Sequence, residues 1–121
     1  MAGKLSIKAQ QSIAFFDQVK VKTDRLYALI EQNASSKGGS EILGPIARTA
    51  IDANRLLMNK GYGVMADTAN QIAMLAKRGG TASTKNRGMR ELINSLRAAM
   101  ETNIKIIVAE EAHKDDEIPA D

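Results

Sequence analysis

Residues 44–80 read GPIARTAIDANRLLMNKGYGVMADTANQIAMLAKRGG, and the punctuation of this stretch decides the fold. Pro45 suits the first position of a helix, because it has no amide hydrogen to lose there and its φ is already helical. Ile46, Ala50, Ala53 and Leu57 then recur at steps of three and four, the spacing of one helical face. Gly61 fits the left-handed residue just past a helix end. Only Tyr62-Gly63 intervenes before Val64, Thr68, Ile72 and Leu75 resume the period, so the spacing predicts two short helices over 45–60 and 64–78. A link this short makes them an antiparallel pair. Ala66, Ala69, Ala73 and Ala76 beside the second stripe would let two backbones approach closely, and Gly79-Gly80 ends the unit.

The same period extends to both sides. Leu5, Ala9, Ile13, Phe16, Val19, Thr23, Leu26 and Ile30 trace one face of a helix over 5–33. The Gly- and Ser-rich run Ala34 to Ser40 then interrupts it as a loop. After Gly80, Met89, Leu92, Leu96, Ala99, Asn103 and Ile106 or Ile107 predict a long helix over 84–112. Asn103 falls on that apolar stripe, either as a buried amide bonded to a neighbour or as a register-setting contact at an oligomer seam. With 44% hydrophobic but only 3% aromatic residues, the core is built from Ala, Leu, Ile, Val and Met. These readings give an all-α fold, a four-helix up-and-down bundle over 1–112 with a flexible acidic C-terminal tail over 113–121.

The inventory of reactive side chains argues against an enzyme. There is no cysteine, which excludes disulfides, thiolate nucleophiles and thiolate metal sites. The single histidine, His113, stands in the acidic tail, away from any buried partner that acid–base chemistry requires. Glu110, Glu111, Asp115, Asp116 and Glu117 around it are a solvated cluster rather than a designed metal site. No phosphate-loop spacing follows a strand, and no paired carboxylates fall in an apolar cleft. The expectation is therefore no catalysis, no cofactor and no metal. The opening residues lack the apolar stretch of a secretory signal, and no segment is long and apolar enough to span a bilayer, so the chain is expected to be cytoplasmic, with no membrane partner.

Charge is the more informative feature. The net charge of +3 hides an asymmetry, since residues 1–109 carry 16 basic and 8 acidic side chains while the tail is acidic. A surplus of that kind attracts polyanions. Lys77, Arg78, Lys85, Arg87, Arg90 and Arg97 gather within 77–97 against Glu91 alone. The first four flank or lie within reach of Gly79-Gly80-Thr81-Ala82-Ser83-Thr84, where flexible backbone, hydroxyls and a helix N-terminus can cradle phosphates. A second stripe on the first helix, Lys8, Gln11, Phe15, Gln18, Lys22 and Arg25, is distinct from the core stripe. Its cations would track a backbone and Phe15 would stack a base.

Two resemblances bear on these residues. Lys37-Gly38-Gly39-Ser40-Glu41-Ile42-Leu43-Gly44 resembles the stretch after the phosphorylated histidine of histidine-phosphotransfer domains, with Ala34 in the histidine's place, so the phosphate acceptor is missing. In size, helicity and basic faces, marked by Lys8, Lys22, Arg25, Lys77, Arg78, Lys85, Arg87 and Arg90, the chain resembles the small helical subunit of CRISPR effector complexes. That resemblance implies several copies along a ribonucleoprotein, contacting RNA or single-stranded DNA through phosphates without reading bases. The sequence thus leads to a non-catalytic nucleic-acid-backbone-binding subunit with protein partners and self-association. The alternative is a protein-only assembly module that oligomerises through the alanine-rich face or docks a helical partner.

Overall fold

The computed structural model describes residues 6–35, 42–78 and 81–117, the side chains of residues 82 and 113–117 apart. Four helices account for nearly all of it: α1 (Ile7–Ser35), α2 (Leu43–Asn59), α3 (Gly63–Lys77) and α4 (Ala82–Glu117). Local hydrogen bonds set the starts of α1 and α4 and the end of α2. The Ser6 hydroxyl accepts the amide of Ala9 at 3.1 Å and opens α1. Thr81 opens α4 in the same way, its hydroxyl accepting the Thr84 amide at 3.2 Å. At the end of α2, Gly61 takes φ +81°, the Tyr62 amide donates to Leu57 O and the Gly61 amide to Met58 O. This is the Schellman arrangement that the glycine foretold. Helix α4 continues to Glu117, five residues beyond the expected 112, and α2 begins at Leu43, two residues before Pro45.

The helices pack in a ring in chain order, α1 on α2, α2 on α3, α3 on α4 and α4 back on α1, with no backbone contact across either diagonal. The up-and-down path follows from the links between ends. Asn33 near the close of α1 donates to Asn86 near the start of α4, while Ser6 at the opposite end of α1 meets Glu111. At about 1.5 Å per residue, the 17 residues of α2 span about 25 Å and the 29 of α1 about 43 Å. The first turns of α1 and the last of α4 therefore run on past the short pair, and the Tyr62 turn lies against the flank of α1.

The core follows the sequence closely on α1 and α2. Phe16, Val19, Leu26, Ile30, Ile46, Ala50, Ala53 and Leu57 are fully buried. On α3 the buried face is shifted by one residue: Val64 is 85% exposed, while Met65 at 6%, Ala66, Ala69, Ile72, Ala73 and Ala76 face inward. Ala66 lies at the contact with α2, where the Asn54 amide reaches its carbonyl oxygen at 2.7 Å. On α4 the centre of the stripe is Met89, Ile93, Leu96 and Met100, with Leu92 and Ala99 on its flank. Asn103 is half-buried and donates to Ala99 O at 2.8 Å within its own helix, so its amide is satisfied locally.

Candidate polyanion interface

On α1, Asp17, Asp24 and Glu31 lie on the side toward α4, with Lys20 among them in the groove that also holds Asp24 and Arg97, while Lys8, Lys22 and Arg25 belong to the stripe toward α2. Asp17, Asp24 and Glu31 are spaced by seven residues, as are Arg90 and Arg97 on α4. In an antiparallel helix pair this spacing brings opposite charges face to face along the flank of the seam. Arg90 holds Glu31 with two hydrogen bonds of 2.8 and 3.0 Å, and Arg97 lies 3.7 Å from Asp24 while stacking 4.7 Å above the Tyr27 ring. Its hydrogen bond to Glu31, and then that carboxylate's field, raise the pKa of Arg90 above its ordinary value, so this guanidinium is firmly cationic but already engaged. Arg90 and Arg97, both expected to meet phosphates, each face a carboxylate of α1 at the partly exposed flank of the α1–α4 contact.

The cations expected at the junction of α3 and α4 do not form one cluster. Arg78 lies in a groove between α3 and α4 with Gln71, Met74, Leu75 and Leu92. Arg87 and Arg90 face the opposite groove, between α1 and α4, a cavity of about 630 Å³ lined also by Asn33, Ala34, Ser83, Asn86, Glu91 and Asn94. Lys77 is exposed at the end of α3, and Lys85 is half-buried in the first turns of α4. The Thr84 amide, expected among the free donors of this end, is taken by Thr81. Ala34, where the phosphotransfer resemblance would require histidine, lines the larger cavity, and residues 36–41 of that resemblance, like Gly79-Gly80, lie outside the described residues.

The stripe on α1 is coherent, with one correction. Phe15 is only 8% exposed, stacked on Tyr62 with ring centroids 5.7 Å apart and packed against Phe16 at 5.4 Å. It belongs to the core and has no face left for a base, because the Tyr62 turn closes over it. Lys22 reaches Asp52 of α2 at 3.8 Å, which sets the α1 stripe beside α2. Arg48 and Arg55 stand four residues before and three after Asp52, hence on the same side of α2. Asp52 is the only acidic residue of that helix. Arg25 on α1, Arg48 and Arg55 are all exposed, and none pairs with a carboxylate among the described residues. At the far end Lys8 and Lys60 meet across a small cavity of about 180 Å³. Arg48, Arg55 and Lys60 were not singled out from sequence, although the absence of acids from α2 other than Asp52 was a usable signal.

The alanine-rich side of α3, expected as a seam between copies, is instead interior to this bundle. The exposed large apolar residues Ile7, Val21, Met58, Val64, Met74, Ile106 and Val108 are spread over all four helices. Among the described residues, no group of three His, Cys, Asp or Glu side chains could hold a metal ion. No described helix is long and apolar enough to cross a membrane. Comparison with protein-family models, curated proteins and solved structures finds no match to this chain.

Proposed function

We propose that the protein is a non-catalytic helical subunit that binds the phosphate backbone of RNA or single-stranded DNA, without reading sequence, inside a larger nucleoprotein assembly. One observation carries this reading: on the side shared by α1 and α2, five cations, Lys8, Arg25, Arg48, Arg55 and Lys60, have no carboxylate partner among the described residues, and Asp52 is spent on Lys22. Cations carried on two adjoining antiparallel helices suit a linear polyanion, and because the helices are already formed only the side chains are ordered on binding. Phosphate contacts of this kind position a strand but carry no base preference.

The test is a pair of variants. Replacing Arg25, Arg48 and Arg55 with alanine removes three free cations and is expected to weaken oligonucleotide binding by roughly tenfold or more at low salt. Replacing Arg90 and Arg97, whose charges are already neutralised by Glu31 and Asp24, leaves affinity nearly unchanged. Equal losses in the two variants, with both still helical by circular dichroism, would show that the α1–α2 side is not the interface. A pull-down that keeps its protein partners after nuclease treatment would favour protein-only assembly.

A further inference from the structure

The two rows of cations converge on a cavity. The α1 row runs from Arg25 back to Lys8, and the α2 row runs from Arg48 forward to Lys60. Lys8 and Lys60 face each other there with Gln11, Ser12, Phe15 and Tyr62. The side chains of Gln11 and Ser12 make no hydrogen bond to any described residue, so an amide and a hydroxyl remain to receive a ligand. The floor is the Phe15–Tyr62 stack, at an interplanar angle of 12°, backed by Phe16.

Size and charge narrow the ligand. At about 180 Å³ the cavity is smaller than the roughly 300–1,000 Å³ of sites that enclose a drug-sized molecule, so it takes one compact group rather than a nucleoside. A phosphodiester within a strand offers a single negative charge. A phosphate at a strand terminus carries nearly two above its second ionisation near pH 6 and presents three acceptor oxygens. Two ammonium groups, an amide and a hydroxyl match the latter. We propose that the Lys8–Lys60 cavity is a binding site for the terminal phosphomonoester of a nucleic-acid strand whose backbone lies along α1 and α2. This proposal rests on the reading of that side as a nucleic-acid interface.

The experiment compares one oligonucleotide sequence carrying a 5′-phosphate, a 3′-phosphate or hydroxyls at both ends, titrated against the full chain by fluorescence anisotropy. One phosphorylated form is expected to bind roughly fivefold tighter than the hydroxyl form at pH 7.5, and the identity of that form assigns the polarity of the strand. The ratio shrinks at pH 5.5, where the terminal phosphate loses its second charge. In the Lys8→Gln/Lys60→Gln variant all three strands bind more weakly and the ratio falls to one. As a measurement on the unaltered protein, inorganic phosphate is expected to shift the amide resonances of Lys8, Gln11, Ser12 and Lys60 ahead of others. Equal affinity of all three strands at pH 7.5, or an undiminished ratio in the double variant, overturns the terminal-phosphate site and leaves the backbone-binding reading standing. Failure of every strand to bind at low salt overturns both.

Discussion

Replacing Gly61 with alanine tests the joint that places Lys60 and Tyr62 beside α1. The residue holds φ +81°, and a Cβ built on it meets no atom within 4 Å. Any loss of stability is therefore backbone strain and not a clash. The left-handed conformation costs an L-residue about 1–2 kcal/mol, and the smaller freedom of alanine in the unfolded chain offsets part of that, leaving about 1 kcal/mol. For a chain of this size the melting temperature is expected to fall by roughly 3–6 °C. Asparagine, which tolerates the left-handed region better, is expected to recover about half of the loss. Thermal unfolding by circular dichroism on the wild type, Gly61→Ala and Gly61→Asn provides the comparison. Alanine as stable as glycine, or asparagine worse than alanine, would refute the assignment of a left-handed cap at this position.

Four further substitutions probe the packing. Gly88→Ala puts a methyl 2.8 Å from Leu75 Cδ1, but that side chain is half-buried beside an open groove and can swing aside. The helix-propensity gain of up to about 1 kcal/mol then prevails, and chemical denaturation should show a protein as stable as the wild type or more so. Phe15→Ala is expected to cost about 3 kcal/mol, the effect of emptying a core position, whereas an exposed stacking residue would leave the denaturation midpoint nearly unmoved. Arg97→Ala loses both the Tyr27 face and the Asp24 carboxylate and should cost about 1 kcal/mol, against a few tenths for Asp24→Asn. The opposite order would make the ion pair the stronger contact.

The sequence was most legible where apolar and polar positions alternate cleanly. On α1 and α2 most positions that the spacing picks out are buried, but Phe15, Asn33, Ala47 and Thr49 are buried outside those stripes and Ile13 is only half-buried on one. On α3 nearly every position from Val64 to Ala76 is apolar or small except Asp67, Thr68, Asn70 and Gln71, so period alone does not choose between neighbours. The choice falls to tertiary packing, which buries Ala66 beside Asn54 of α2 together with Ala69 and Ala73 and leaves Val64 exposed. The same ambiguity at Leu92-Ile93 and Ala99-Met100 moved the reading of α4 off the centre of its buried face. For the site, counting cations was not enough, because charge in excess along the chain says nothing about which charges are already matched. The sevenfold spacing of Asp17, Asp24 and Glu31 against Arg90 and Arg97 was present in the sequence and identifies two of the engaged arginines. Phe15 was not decidable locally, since its cover comes from Tyr62, which is 47 positions away.

The most direct test of the central claim, that free cations on α1 and α2 hold a nucleic-acid backbone, is a titration of single-stranded oligonucleotides of two unrelated sequences across a salt series. Five phosphate contacts predict a slope of log K against log salt of about −3.5, a loss of roughly a hundredfold between 50 and 200 mM, with the two sequences superimposing. A slope near zero, or no binding to either strand at 50 mM salt, would contradict the account.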